Sequence, residues 1–122
     1  MANPVNWFEI PASDLDRAKR FYEQVFGYEL SLHEVGPLKM AWFPMEQGAQ
    51  YATGALVQHE AYEPSHKGTL VYISVDSIEK ALRKVEENGG KALNGKTPIG
   101  RFGFTAHCED TEGNRVGMHA TT

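Results

Sequence analysis

Two stretches of the chain share one order of hydrophobic and polar positions. In the first, positions 5–10 are mainly apolar and aromatic with Glu9 among them, and apolar residues recur at helical spacing over 15–26 and resume after Gly27. In the second, they fill 69–75, recur over 78–85, and resume after Gly90. A dense short apolar run indicates a strand, and apolar residues three and four apart indicate the buried side of a helix. Each stretch therefore predicts a strand, a helix and a second strand.

The two stretches align at a constant offset of 63 residues. Trp7 falls on Leu70, Leu30 falls on Leu93, and the segment 53–56 falls on 116–119. A repeated segment of this length indicates a duplicated structural unit. Two copies are too few for a solenoid, so the pattern favours one domain built from paired modules.

The polar residues between the apolar runs predict where the elements end. Ser13 is the expected N-cap of the first helix and Gly27 its C-cap. Asp76 and Glu79 have the spacing of a capping box at the start of the second helix. Turn residues separate the remaining predicted strands, which cover 28–35, 39–45, 53–58, 91–94, 102–108 and 115–120. The predicted order is βαβββ twice, in a chain of class α+β.

This order predicts a single domain over residues 1–122. Module 1 covers about 4–59 and module 2 about 68–121, with a polar linker at 60–67. A chain of this length can form one modest hydrophobic core.

Charge and composition narrow the expected partners. The net charge is −4 and no basic block is present, which argues against nucleic acid. The apolar runs are far shorter than a bilayer span, and the first residues lack the features of a signal peptide, so we expect a cytoplasmic protein without a membrane partner. Cys108 is the only cysteine, and we expect it to be a buried or half-buried strand residue rather than a reactive thiol.

Three segments carry a resemblance to a known family. They are Ser-Asp-Leu-Asp-Arg-Ala at 13–18, Phe-Gly-Tyr-Glu-Leu at 26–30, and Asp-Thr-Glu-Gly-Asn-Arg-Val-Gly-Met-His at 110–119. With the strand–helix order around them, they resemble the vicinal oxygen chelate superfamily over the whole chain. That family includes glyoxalase I, bleomycin resistance proteins, fosfomycin resistance enzymes and extradiol dioxygenases. The resemblance implies two βαβββ modules whose sheets curl around a cleft, often within a homodimer; it implies no single activity.

The same resemblance implies where a metal would be held. Family members that use a divalent ion take one ligand from the first and last strands of each module, and these positions correspond to Trp7, Gly54, Leu70 and Gly117. None of these side chains offers a donor atom, so we expect no metal and no other cofactor. A shift of two residues brings Glu9 and His119 into reach, which leaves a divalent metal site two ligands short.

Strand alternation from those positions predicts the residues that face the cleft. It gives Trp7, Glu9, Gly54, Leu56, Tyr72, Arg115, Gly117 and His119. On neighbouring strands we expect Thr105, His107, Met40 and Trp42 in the cleft, with Phe104 and Ala106 under the helices. The expected ligand-binding residues are Trp7, Trp42, Gly54, Leu56, Tyr72, Thr105, Arg115 and Gly117, and the candidates for acid–base catalysis are Glu9, His107 and His119.

A structural role is the alternative for each of these residues. Trp7 and Trp42 are also suited to ordinary core packing. The Glu9 carboxylate could be satisfied by Tyr72, Arg115 or a backbone amide, and both histidines could be ordinary strand residues.

Three functions are consistent with these patterns. The favoured one is a metal-free homodimer that binds a small aromatic or amphipathic molecule. The second is an enzyme, either a glyoxalase-I-like lyase or isomerase or a related dioxygenase-like member, which uses a metal or Glu9 with a histidine. The third is an accessory module that binds no ligand.

Overall fold

The computed structural model describes residues 3–122. In chain order the elements are β1 (Trp7–Pro11), α1 (Leu15–Phe26), β2 (Ser31–Val35), β3 (Leu38–Trp42), β4 (Thr53–Gln58), β5 (Tyr72–Ser74), α2 (Ile78–Glu87), β6 (Lys91–Ala92), β7 (Thr97–Pro98), β8 (Phe104–Glu109) and β9 (Arg115–Ala120). The predicted α+β class with a glyoxalase-like fold is confirmed. β6 is shorter than predicted, and the two-residue strand β7 lies in a segment for which we expected only a turn.

The strands form two sheets, one from each copy of the repeat. Sheet 1 has the order β1-β4-β3-β2, and sheet 2 has the path β5-β9-β8-β6 with β7 also paired to β8. In each sheet the first strand of the module runs parallel to the last, through β1 beside β4 and β5 beside β9. The other neighbours are antiparallel, and the two sheets do not join into one.

One apolar core lies between the two sheets. α1 and α2 contact each other, and each also packs on the sheet of its own module. Buried residues of both helices and both sheets belong to one cluster; its largest members include Phe21, Tyr22, Leu56, Ile78, Val85, Val116 and Met118. Because the helices cover one side of each sheet, the other side of each faces away from this core. We call these two sides the outer face of sheet 1 and the outer face of sheet 2.

The helix caps differ from the predicted ones by one residue. Asp14, not Ser13, is the N-cap of α1, where its carboxylate accepts from the backbone N–H of Arg17 at 3.1 Å. Ser77, not Asp76, caps α2. Ser and Asp have nearly equal preference for the N-cap, so the residue type alone does not distinguish two adjacent candidates. Gly27 is the C-cap of α1 as predicted, with a positive φ of 79° that glycine adopts without strain.

The turn between β8 and β9 connects module 2 to the start of α1. Oε1 of the buried Glu112 carboxylate accepts from the backbone N–H groups of Ser13 and Asp14 at 2.9 and 2.8 Å. The same carboxylate accepts from Nε and Nη2 of Arg17 at 2.8 and 3.0 Å. Burial alone would raise the pKa of Glu112, but these hydrogen bonds, one from Thr111 and the charge of Arg17 together lower it.

A second buried carboxylate in the same turn connects α1 with Asn114, the residue before β9. Asp110 accepts from the Tyr22 hydroxyl at 2.6 Å, and from the backbone N–H and side-chain amide of Asn114, each at 2.9 Å. Burial, followed by the charge of Asp110, raises the pKa of Tyr22 well above its ordinary value. Cys108 is fully buried as predicted, and burial and then Asp110 raise the pKa of its thiol to about 12.

Candidate functional site

The pairing of β1 with β4 determines which side chains of sheet 1 face outward. Trp7 lies beside Thr53 and Glu9 beside Ala55, whereas Phe8 lies beside Gly54 and Ile10 beside Leu56. Side chains of paired residues project on the same side of a sheet.

The predicted facing of Gly54 and Leu56 is therefore wrong. Leu56 is fully buried in the core between the helices and the sheets. A Cβ atom at Gly54 would lie 2.7 Å from Cγ of Phe8, so the absent side chain makes room for that ring on the helix side. Both residues belong to the core and not to a cleft.

The error has a specific origin in the repeat. In sheet 2, Tyr72 lies beside Gly117; its equivalent in sheet 1, Glu9, lies beside Ala55 rather than Gly54. The offset between modules is therefore 63 residues at the first strand but 62 at the last. The matching glycines of 53–56 and 116–119 conceal this one-residue change. The structural equivalent of Gly117 is Ala55.

With Ala55 in place of Gly54, the four positions that correspond to metal ligands in the family still offer no donor atoms. They hold Trp7, Ala55, Leu70 and Gly117, whose side chains end in an indole, a methyl, an isobutyl group and a hydrogen. Such a set does not fit a divalent ion, which needs oxygen, nitrogen or sulfur ligands. Within residues 3–122, no three His, Cys, Asp or Glu side chains converge as a metal-binding group. The absence of a metal cofactor stays a prediction.

Aromatic side chains occupy the outer face of sheet 1. The rings of Trp7 and Trp42 meet edge to face, with their centroids 5.7 Å apart. They pack with Leu38 and with Tyr62 from the segment after β4, over a small cluster of buried side chains. Those buried side chains are Met40, Ala55 and Val57. The structure thus brings Trp7 and Trp42 together on a side of the sheet that the helices do not cover.

Glu9 lies at the edge of this aromatic group and accepts two hydrogen bonds. Oε2 accepts from Nε1 of Trp7 at 3.2 Å, and Oε1 accepts from the hydroxyl of Tyr62 at 3.1 Å. The hydrogen bond to Glu9, and then its negative charge, raise the pKa of Tyr62. Neither Tyr72 nor Arg115, the partners expected from the sequence, contacts the carboxylate by hydrogen bond. The exposed carboxylate keeps unused lone pairs for a donor group of a ligand.

Trp42 carries a polar atom with no partner. Its Nε1 atom is buried and has no acceptor among residues 3–122. The ring of His33 on β2 stacks on Trp42 with the ring centroids 3.8 Å apart. Sequence reasoning missed both His33 and Tyr62. The alternation of β2 gave a signal for His33, which pairs with Met40, whereas no local pattern marks Tyr62.

A polar network occupies the outer face of sheet 2. The Tyr72 hydroxyl lies 2.9 Å from Nε2 of His107, and Nε of Arg115 donates to Nδ1 of the same imidazole at 2.9 Å. The Tyr72 ring lies over Gly117, where a Cβ atom would come within 2.5 Å of Cδ1 of the ring. Burial, and then the charge of Arg115, lower the pKa of His107.

The remaining predicted residues of sheet 2 have separate contacts. Thr105 lies beside His119 in the register of β8 and β9. Nε2 of His119 donates to the backbone oxygen of Phe102 at 2.6 Å. Phe104 and Ala106 pack into the core, on the side of the helices as expected.

The two outer faces are separate within one chain. Glu9 is hydrogen-bonded within sheet 1 and the adjoining segment, whereas His107 and His119 are hydrogen-bonded within module 2. The structure therefore does not bring Glu9 together with either histidine as an acid–base pair in a single chain.

Two surface depressions border the end of sheet 1 near the start of α1. Their volumes are about 580 and 450 Å³, and Ser13, Lys39 and Gln58 line both. The larger also reaches His33, and the smaller reaches Tyr62. Neither includes a predicted catalytic residue. In an isolated chain the outer faces are open surfaces rather than enclosed cavities.

Residues 5–118 match the family model described as Glyoxalase/Bleomycin resistance protein/Dioxygenase superfamily. The chain belongs to this superfamily. The predicted membership of the vicinal oxygen chelate group is thereby confirmed.

Individual relatives agree with this assignment. A glyoxylase-like domain-containing protein of Didymella fabae is 32% identical over 117 residues, covering 90% of this chain and 88% of that protein. A putative glyoxylase of Mycobacterium bovis is 28% identical over 117 residues that cover 93% of this chain but 44% of that protein. The chain thus spans about half the length of the mycobacterial relative.

Solved structures show the same fold at lower identity. A glyoxylase/bleomycin resistance protein/dioxygenase domain from a Frankia species has a TM-score of 0.75 at 14% identity, with full coverage of both chains. A fosfomycin resistance protein from Listeria monocytogenes has a TM-score of 0.69 at 11% identity, covering 100% of this chain and 93% of that one. At these identities the likeness shows the fold alone.

Proposed function

We propose that the protein binds a small aromatic or amphipathic molecule on the outer face of sheet 1, against Trp7 and Trp42. The supporting observation is an aromatic surface on the uncovered side of a sheet, next to a buried indole N–H with no acceptor among residues 3–122. Binding sites for small molecules combine apolar and aromatic walls with a few polar groups that orient the ligand.

The chemistry of this surface defines the expected ligand. Edge-to-face packing of the two indoles leaves ring surface for a flat ligand, and such aromatic contacts contribute about 0.5–1.5 kcal/mol beyond the area they bury. Nε1 of Trp42 is buried, so an acceptor atom of the ligand reaches it only when covering side chains move aside; that hydrogen bond would then contribute about 0.5–1.5 kcal/mol. The Glu9 carboxylate accepts hydrogen bonds and carries a negative charge, so it favours a donor or cationic group at the other end.

We further infer that the protein works as a symmetric homodimer. Members of this superfamily are commonly dimeric and bind small molecules. The outer face of sheet 1 carries Glu9, whereas that of sheet 2 carries Lys91 and Arg115 with one carboxylate, Glu109, so the face of sheet 2 is the more positive. If each outer face of sheet 1 meets the partner's outer face of sheet 2, a two-fold axis creates two identical clefts.

None of the helices in residues 3–122 is long and apolar enough to cross a bilayer.

Tryptophan fluorescence tests the binding proposal, because both tryptophans of the chain lie on this face. With 1-naphthol as the probe, we expect a saturable change in emission, matched by heat of binding in calorimetry. The Trp7→Ala variant removes one wall and should weaken binding about tenfold, as is typical of an aromatic hot spot.

The control is Phe102→Ala, which removes an aromatic side chain that is 63% exposed in module 2. It should bind 1-naphthol as the wild type does. Absence of saturable binding, or equal weakening in both variants, contradicts the proposal. Sedimentation analysis tests the homodimer separately, and a monomer at all concentrations contradicts it.

A further inference from the structure

The network on sheet 2 has a defined direction of hydrogen bonding. A guanidinium group only donates, so Nδ1 of His107 must accept from Nε of Arg115. In the neutral imidazole the proton then lies on Nε2, which donates to the oxygen of Tyr72 at 2.9 Å. The hydroxyl hydrogen of Tyr72 is left to donate elsewhere. Tyr72 is 48% exposed, so that donor is accessible from outside the chain.

Arg115 also keeps unused donors. Its Nε is occupied by His107, which leaves both Nη groups. Arg115 lies beside Glu109 in the β8–β9 register, but the Glu109 carboxylate pairs with Nε2 of His66 at 2.7 Å. No carboxylate in the described range 3–122 forms an ion pair with Arg115. A half-buried guanidinium without a counter-ion attracts an anionic ligand.

We propose that Tyr72 and Arg115 form an anion-binding site on the outer face of sheet 2, which takes the carboxylate of a small organic acid. Arg115 and Tyr72 bond to opposite ring nitrogens of His107, so a carboxylate beside the imidazole would accept from one Nη group through one oxygen and face the Tyr72 hydroxyl with the other. The Tyr72 hydroxyl adds one neutral donor, and the single positive charge balances a single negative one. His107 is a positioning residue, because it directs the Tyr72 hydroxyl without contacting the ligand.

Gly117 is part of the same arrangement. Any side chain there would collide with the Tyr72 ring and move the hydroxyl away from His107. In the proposed dimer this site shares a cleft with the aromatic face of the partner subunit, but the two proposals are tested with different probes and variants, benzoate with Arg115→Gln and 1-naphthol with Trp7→Ala, so either can fail while the other stands.

Calorimetric titration of the full chain tests this site with benzoate, and with benzyl alcohol as an uncharged probe of similar shape. Loss of a charge-assisted hydrogen bond in Arg115→Gln should weaken benzoate binding about tenfold or more. Loss of a neutral one in Tyr72→Phe should weaken it about 3- to 10-fold. Lys80→Gln, which removes an exposed positive charge on α2, away from this face, should leave it unchanged. Binding of benzyl alcohol should not depend on Arg115.

The role of His107 has its own spectroscopic test. Nitrogen NMR of the folded wild type should show the His107 proton on Nε2, and Arg115→Gln should disturb that tautomer. His107→Phe should weaken benzoate binding, whereas His107→Gln, which offers an acceptor and a donor, should retain more of it. The proposal is overturned if the wild type does not bind benzoate, if Arg115→Gln binds it equally well, or if the proton lies on Nδ1.

Discussion

Arg17 on α1 and Glu112 in the β8–β9 turn are joined by two hydrogen bonds of 2.8 and 3.0 Å, which connect module 1 to module 2. The same carboxylate accepts from two backbone N–H groups at the start of α1, where the helix dipole favours negative charge. Glu112 thus connects the two modules directly, at the junction that sets the positions of the two outer faces.

Replacing Glu112 with Gln should destabilise the chain. The amide keeps the shape but loses the charge and cannot accept from all five donors, which should cost about 1–3 kcal/mol in free energy of unfolding. Urea denaturation at neutral pH measures the difference. Glu87→Gln, an exposed change at the end of α2, is the control and should lie within about 0.5 kcal/mol of the wild type. If the two variants are equally stable, the hydrogen bonds of Glu112 contribute nothing to the stability of the fold.

The contribution of Glu112 should depend on pH. Its pKa in the folded chain is lowered, whereas in the unfolded chain it is about 4.3. The ionised carboxylate therefore stabilises the fold fully above that unfolded value, and the contribution is lost as pH falls through the lowered folded pKa. Because a glutamine side chain does not titrate, the wild type's advantage over Glu112→Gln should shrink below about pH 4.3. A difference that stays constant or grows as the solution is acidified contradicts this assignment.

Tyr22→Phe should destabilise the junction between α1 and the β8–β9 turn. The ring stays, but the buried Asp110 carboxylate loses a donor at 2.6 Å, which should cost about 1–3 kcal/mol. Tyr28→Phe removes the hydroxyl of a partly exposed tyrosine and should be nearly neutral. Thermal unfolding of both variants makes the comparison; if they lose the same stability, the Tyr22 hydroxyl has no special role.

A matched pair of glycine substitutions tests the facing of β4. A Cβ atom at Gly54 would lie 2.1 Å from the backbone oxygen of Phe8, so Gly54→Ala should cost at least the roughly 1–3 kcal/mol typical of overpacking. Gly95 has no atom within 4 Å of an added Cβ, so Gly95→Ala should be tolerated. Full stability of Gly54→Ala in urea denaturation would mean that Gly54 faces open space, as the repeat alignment first indicated.

Local patterns explain which features the sequence predicts. The helices, the Gly27 cap and the burial of Cys108 follow from apolar periodicity and turn chemistry that act within a few residues. β7 was not predicted because a strand of two residues has no pattern of its own and is defined only by its pairing with β8. The predicted facing of Leu56 was wrong because the register of a strand is set by its partner strand. A shift of the register by one residue moves every side chain of the strand to the opposite face.

The candidate site was predictable only in part for the same reason. Trp7, Glu9 and Trp42 share a face through alternation, and so do Tyr72, His107 and Arg115. Tyr62 reaches Glu9 from a segment without periodicity, which only the folded chain reveals. The helices pack between the two sheets and so keep the two outer faces apart. The sequence gives no direct sign of this packing.

Proton NMR of the two indole N–H groups is the most direct test of the binding face. The chain has two tryptophans, and Nε1 of Trp7 is bonded to Glu9 whereas Nε1 of Trp42 has no acceptor among residues 3–122. On titration with 1-naphthol, we expect the Trp42 N–H signal to shift downfield and saturate, with a smaller change for Trp7. If both signals stay in place at a saturating concentration of 1-naphthol, the outer face of sheet 1 is not the binding surface.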